Sequence, residues 1–209
     1  MSEQGSAEWL AERLGKVTAS RFVELLPESR TKSPWSKTAQ SYMLDLLAER
    51  LTRLPQGFGG NRATEWGNTH EAAAIRVYEA RTRLTCTQVG FVNHATEKHI
   101  GGSPDRLVGD DGGVEAKCPF DTRVHLEYYL GGVVPKEHVA QVQGHLWNSG
   151  RKWWDFISYD PRIQDSKLAL FCVRAERDEE YIEMLSAKVC AFRDALLEAE
   201  EKLIERLNA

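Results

Sequence analysis

The sequence predicts a mixed α/β single domain, and three observations predict it. Apolar residues recur every three or four positions near both ends of the chain, short β-branched and aromatic runs separated by glycine turns occupy the middle, and the elements follow the order helices, sheet, helix, strands, helix. A chain of 209 residues buries a sizeable core and still folds as one unit, so residues 1–209 are taken as one domain with one site.

Taken in order, residues 7–26 carry Leu10, Leu14, Val17, Phe22, Leu25 and Leu26 at helical spacing, interrupted at Gly15-Lys16-Val17-Thr18, with Thr18 or Ser20 available to cap the second piece. Residues 27–37 hold two prolines, three serines and three bases without an apolar period, which predicts an exposed loop. Helices follow over 39–53 and 64–81 around a Pro-Gly-rich connection at 54–61; Trp66, Ala73, Val77 and Tyr78 are candidate packing residues of the second, and Glu71 lies inside it. Strands are expected over 84–94, 100–108 and 114–118, the last two joined by Gly109-Asp110-Asp111-Gly112-Gly113 into a hairpin. A helix over 135–149 opens near Pro135 and stops at Gly150. Strands at 153–159 and 168–173 extend the sheet. From Glu180 onward Ile182, Leu185, Val189, Phe192, Leu196, Leu203 and Leu207 mark a long amphipathic helix.

Composition narrows the function classes. No apolar run is long enough to span a bilayer and the first residues lack the basic and apolar regions of a signal peptide, so a cytosolic protein without membrane association is expected. Cys86, Cys118, Cys172 and Cys190 form no CxxC pair, which speaks against a zinc or iron-sulfur site and for reduced, mostly buried thiols. The net charge of −4 is unevenly spread: the segment from Glu176 carries ten acids and five bases, leaving +1 on the rest. Arg13, Lys16, Arg21, Arg30, Lys32, Lys37, Arg50, Arg53 and Arg62 crowd the first third, either as a positive surface for phosphates or as solvated charge.

The chemistry concentrates in Ser103-Pro104-Asp105 and Glu115-Ala116-Lys117. Residues two apart on a strand face the same way, so Glu115 and Lys117 project together while Ala116 points to the other side. Asp105 comes from the neighbouring strand. A two-residue loop would pair it with Ala116; only an odd-numbered loop or a bulge sets it opposite Glu115 or Lys117, and Gly112 and Gly113 are able to supply the left-handed backbone such a turn needs. Two carboxylates beside an ammonium form a hard oxygen site suited to Mg²⁺, with the lysine placed to orient or help deprotonate a water and to offset charge on a phosphate. The bare pattern is a weak signal, matched by chance in roughly one chain of this length in two or three. On the helix over 135–149, Val139, Val142 and Leu146 form an apolar stripe, while His138, Gln141 and His145 share another face free to serve a site. The two histidines lack the HExxH spacing and read as solvated or hydrogen-bonded side chains.

Trp9, Arg13-Leu14-Gly15, Thr18-Ala19-Ser20, Trp66-Gly67, Glu71, Ser103-Pro104-Asp105, Glu115-Ala116-Lys117-Cys118-Pro119-Phe120, Leu130-Gly131-Gly132, Ala140-Gln141-Val142-Gln143 and Tyr159-Asp160-Pro161-Arg162 occur in this order. From Trp9 to the acidic C-terminal helix, the chain resembles the family of the lambda exonuclease and the YqaJ-type viral recombinases. The resemblance implies a PD-(D/E)xK, restriction-endonuclease-like core with a mixed central sheet flanked by helices. It implies a Mg²⁺-dependent 5′→3′ exonuclease, of phage or prophage origin, that degrades one strand of linear duplex DNA to 5′-mononucleotides and leaves a 3′ overhang. Asp105, Glu115 and the Ala116 carbonyl would hold two Mg²⁺ ions, or Mn²⁺ in their place, with Lys117 beside the attacking water and Glu71 and Gln141 supporting it. Arg13, Ser20 and Ser103 match residues that bind the terminal 5′-phosphate, and Arg30 falls near a DNA-contacting arginine. Each also has a plainer reading: Ser20 as a helix cap, Ser103 as a strand end, Arg13 as the partner of Glu12 or another surface acid. The family further implies a homotrimeric ring around DNA and a single-strand annealing protein as partner. Two other readings compete, a structure-selective PD-(D/E)xK endonuclease and a DNA-binding scaffold without turnover.

Overall fold

The computed structural model describes residues 4–56 and 60–207, so three residues of the expected Pro-Gly connection lie outside it. Helix α1 (Ala7–Arg13) begins at Ser6, whose hydroxyl accepts from Trp9 N, and leads into the short strand β1 (Val17–Thr18). The second apolar piece is a 3-10 helix, Ala19–Leu25, rather than an α-helix; Thr18 precedes it without a capping side-chain bond and Ser20 sits inside it, so neither hydroxyl caps it. Its role is packing, with Ala19, Phe22 and Leu25 buried. Helices α2 (Lys37–Thr52) and α3 (Arg62–Thr82) match the expected spans and start at Ser36 and Asn61, each accepting from backbone N–H groups of the first turn. On α3, Tyr78 is buried as expected, but the other buried residues are Ala74 and Ile75, while Trp66, Ala73 and Val77 are only partly covered.

The strands depart from the sequence reading at one instructive point. The stretches 84–94 and 100–108 do not run as single strands: β2 (Cys86–Thr87) and β5 (Arg106–Val108) join one sheet, β3 (Val92–Asn93) and β4 (Ile100–Gly102) another. The break between β4 and β5 falls at Ser103-Pro104-Asp105, where proline has no N–H for a ladder. A three-stranded sheet is ordered β1-β4-β3, and a five-stranded sheet β2-β5-β6-β7-β8 contains β6 (Gly112–Lys117), β7 (Trp153–Tyr159) and β8 (Leu170–Glu176). The larger sheet is mixed, since β6 and β7 run parallel and the other pairs antiparallel.

Between β6 and β7 lie α4 (Thr122–Gly131) and α5 (Lys136–Ser149). Helix α4 is absent from the sequence reading, although Asp121 caps its start by accepting from Arg123 N and Gly132, at φ +67°, ends it. Helix α5 is bounded by Pro135 and by Gly150 at φ +68°, as expected.

Helices cover both faces of the larger sheet. Ala74, Ile75 and Tyr78 of α3 pack with Val114, Ile157 and Leu170, whereas Val142 and Leu146 of α5 pack with Trp154, Phe156 and Phe171. A third cluster joins the 3-10 helix to α2, α5 and the long α6 (Glu179–Leu207) through Phe22, Tyr42, Leu185, Phe192 and Leu196. The apolar stripe of α6 is buried through Leu196, but Leu203 near its end is exposed. The four cysteines are free and only partly buried, less covered than their composition suggests. Among the described residues no helix is long and apolar enough to cross a membrane.

Candidate active site

The β5–β6 hairpin settles the register question. Val108 pairs with Gly112, Leu107 with Gly113 and Arg106 with Val114, so the loop has the odd length that sets Asp105 opposite Glu115. The left-handed residue is Gly109, at φ +50°, not Gly112 or Gly113. Those two glycines serve the neighbouring strand instead: a Cβ on Gly112 would stand 2.1 Å from the Trp153 ring, and one on Gly113 2.4 Å from that of Trp154. Close approach of two indoles, not turn geometry, demands glycine there.

Six of the expected residues come together. Asp105 Oδ2 accepts from Ala116 N at 2.7 Å, which ties the carboxylate to β6. Glu115, 1% exposed, lies between the sheet and α5. Its Oε1 accepts from Lys117 Nζ at 2.6 Å and from Gln141 Nε2 at 2.7 Å, and Gln141 Oε1 lies 3.5 Å from the same ammonium. Glu71 approaches from α3, its Oε1 accepting from Arg106 Nη1 at 3.0 Å. Glu71, Asp105, Ala116 and Lys117 line one cavity of about 430 Å³, together with Tyr128 and His138. Tyr128 comes from α4, so part of this wall escaped the sequence reading together with its helix.

The electrostatics are those of crowded carboxylates. Burial raises the Asp105 carboxyl well above the usual aspartate range, and the charges of Glu115 and Glu71 raise it further. Burial pushes Glu115 up as well, but the Lys117 ammonium and then His145 outweigh it and bring it down to about 2. Burial would lower Lys117, yet Glu115 and Asp105 hold it above its ordinary value, so it stays an ammonium. Burial and then Lys117 lower His138 to about 4, leaving a neutral imidazole on the cavity wall.

These residues fit a hard divalent cation. Glu115 Oε2 is buried without a hydrogen-bond partner, and Asp105 feels the charges of Glu115 and Glu71, which Lys117 only partly offsets. Among the described residues no three His, Cys, Asp or Glu side chains converge into a ready-made cage. Two carboxylates, the Ala116 carbonyl, water and substrate oxygens make the open donor set that Mg²⁺ accepts.

A second cavity, of about 440 Å³, is lined by Arg13, Lys16, Thr18, Ser20, Arg21 and Tyr42, among others. Arg21 is engaged there by Glu24 and Asp45, so it adds less field than its formal charge suggests. Arg50 is likewise held by Glu200. Arg13 lies over the Trp9 ring, 5.1 Å from its centre, and Trp9 Nε1 donates to Ser103 Oγ at 2.8 Å. Ser103 thus belongs with Arg13 through Trp9, and it stands two residues before Asp105. Arg30 is not part of either group: it is exposed and lines a separate cavity with Ser29, Ser36 and Lys37.

Residues 8–152 match the YqaJ-like viral recombinase domain. Among solved structures, the chain is similar to the alkaline exonuclease LHK-Exo of Laribacter hongkongensis, with 37% identity, a TM-score of 0.88 and coverage of 97% of this chain and 98% of that one; the enzyme has also been solved with dAMP. A phage-related exonuclease of Haemophilus somnus shares the fold at 18% identity and a TM-score of 0.67, over 92% of this chain and 96% of its own. An uncharacterized protein, R354, of Acanthamoeba polyphaga mimivirus is 27% identical over 74% of this chain, which spans only 29% of that protein. The Escherichia coli K12 protein ExoD is 32% identical over 35% of this chain and 85% of its own length.

Proposed function

This chain belongs to the YqaJ-like viral recombinase domain family, and we propose that it is a Mg²⁺-dependent 5′→3′ exonuclease that degrades one strand of linear duplex DNA to 5′-mononucleotides and leaves a 3′ overhang for annealing. Likeness to an alkaline exonuclease over nearly the whole of both chains supports a DNA exonuclease. The observation that carries the mechanism is the cluster of Asp105, Glu115, Lys117 and Gln141, in which Glu115 is buried and Asp105 and Lys117 line a cavity.

Asp105, Glu115 and the Ala116 carbonyl would hold the cation, which when bound polarises the scissile phosphate and activates water. Mn²⁺ should replace Mg²⁺ in this donor set. Lys117, kept protonated by Glu115 and Asp105, acts as a fixed positive charge that orients the nucleophile and offsets charge gathering on the phosphate. It does not serve as the base in that state. Gln141 holds both Glu115 and the lysine, and Glu71 is steadied by Arg106.

Polarity would come from the second cavity. An indole N–H only donates, so Ser103 Oγ accepts from Trp9 and its own proton remains available for an anionic oxygen. Arg13 and Ser20 on the cavity wall add a guanidinium and a second hydroxyl, the groups a terminal 5′-phosphate needs. Ser103-Pro104-Asp105 would then set the distance from that phosphate to the bond being cut. Arg30 and Lys37, exposed beside a separate cavity, would meet the duplex elsewhere on the surface. A homotrimeric ring and an annealing protein complete the proposal, supported by family membership; light scattering at three times the chain mass checks the first and co-purification the second.

The deciding experiment is a time course on linear duplexes with and without 5′-phosphates beside a closed circle. Fast loss of the phosphorylated strand with the circle untouched is expected. Nicking of the circle would favour an endonuclease, and no cleavage at all a scaffold.

A further inference from the structure

Two side chains of α5 meet Glu115, and the mechanism above uses one. Gln141 donates to Oε1; one turn later His145 brings Nε2 to 3.4 Å from Oε2. Neither that oxygen nor either nitrogen of His145 has a hydrogen-bond partner, and both side chains are 1% exposed. Leaving such groups unpaired costs stability, and this fold does satisfy a buried histidine elsewhere: His125 has Ser158 Oγ at 2.8 Å from Nδ1 and the Leu168 carbonyl at 2.9 Å from Nε2.

The His145 ring is also confined. It stacks on Trp154, with centroids 5.1 Å apart and planes 11° from parallel. On another side the Gly102 backbone approaches so closely that a Cβ there would stand 2.9 Å from His145 Cε1 and 3.0 Å from Nδ1. An imidazole so clamped has few directions to point, and a carboxylate oxygen of Glu115 stands 3.4 Å from its Nε2.

We propose that His145 is a positioning residue for the reaction, directing Nε2–H at Glu115 Oε2 and stopping rotation of the carboxylate. With Gln141 on one oxygen and His145 on the other, α5 holds Glu115 from both ends at a spacing of four residues. The carboxylate then meets a divalent cation in one orientation, without a reorganisation cost at each turnover. The proposal rests on the reading of Glu115 as a cation ligand. Groups that orient a ligand in this way typically change metal affinity or activity by about 10- to 100-fold when removed.

The test is calorimetric titration of Mn²⁺ into the DNA-free protein, together with the Mg²⁺ concentration for half-maximal hydrolysis. His145→Ala should weaken Mn²⁺ binding and raise the Mg²⁺ requirement by about 10- to 100-fold, with duplex affinity in EDTA unchanged. His145→Gln, whose amide can donate to the same oxygen, should recover part of the loss, and His145→Met, of similar bulk without a donor, should not. A folded His145→Ala protein with wild-type Mn²⁺ affinity overturns the proposal. If that variant does not fold, equal Mn²⁺ affinity in the Gln and Met variants overturns it. The underlying reading fails separately: Glu115→Gln with undiminished Mn²⁺ binding removes the cation from Glu115 altogether.

Discussion

Two buried carboxylates on adjacent strands have opposite fates. Asp155 on β7 is 2% exposed and fully engaged, accepting from Tyr78 OH at 2.6 Å and from Arg174 at 2.8 Å and 2.9 Å. Glu115 on β6 is as deeply buried, yet its Oε2 makes no hydrogen bond, with His145 Nε2 3.4 Å away, and its neighbour Asp105 is driven toward protonation. A carboxylate whose lone pairs are all taken holds a sheet to a helix. One left short of partners beside other carboxylates, behind a cavity that Asp105 and Lys117 line, stands ready for a cation.

The largest effect expected from this contrast is chemical. Asp105→Ala and Lys117→Ala should each lower hydrolysis by on the order of a thousandfold or more, while gel-shift affinity for duplex DNA in EDTA stays near wild type. Asp155→Ala should do the reverse, because it strands the Tyr78 hydroxyl and frees Arg174. A loss of about 3 kcal/mol, or roughly 6–12 °C in melting temperature, is expected by calorimetry, with the rate per folded molecule unchanged. If Asp155→Ala abolished cleavage without melting the protein, the division between the two carboxylates would be wrong.

Much of this was legible in the sequence, for reasons that differ by element. Long periodic helices and glycine or proline stops are local signals, which is why α2, α3, α5 and α6 emerge with nearly the right bounds. The odd hairpin loop follows from requiring Asp105 and Glu115 to face one site, and the register bears it out. The division of 100–108 between two sheets was hidden because period-2 patterning describes a strand without naming its partners, although Pro104 marks the break. Helix α4 carries only a short apolar pattern, and its cap at Asp121 was the available clue. The roles of Gly112, Gly113 and His145 are set by Trp153 and Trp154, about 40 and 10 positions away in sequence, and no local rule contains them.

Smaller effects are expected at the second cavity and in the pH dependence of stability. Arg13→Ala should reduce the preference for 5′-phosphorylated over 5′-hydroxyl ends by about 1.5–3 kcal/mol, the worth of a charge-assisted hydrogen bond, read as a ratio of initial rates; an unchanged ratio would leave Arg13 a structural partner of Trp9. The smallest concerns pH. An acid raised in the folded state binds more protons folded than unfolded, so stability is lost as pH climbs from the ordinary aspartate value through the raised one. Without divalent metal, the melting temperature should therefore fall across that window, Mg²⁺ should restore it, and Asp105→Asn should remove both responses while melting a few degrees higher than wild type near neutral pH. A metal-free wild-type protein whose melting temperature is flat over that range would contradict the crowding of charge at this site.

On the proposed reading, the cluster of Asp105, Glu115 and Lys117 cuts from a 5′ end. This is tested most directly by following a linear duplex labelled at one 5′ terminus, with Mg²⁺ and with EDTA, using wild-type protein and Lys117→Ala. Labelled mononucleotide should be the first product of the wild type, only with Mg²⁺, and none should come from the variant. Labelled internal fragments, release from the 3′ end, or undiminished cleavage by Lys117→Ala would contradict that reading.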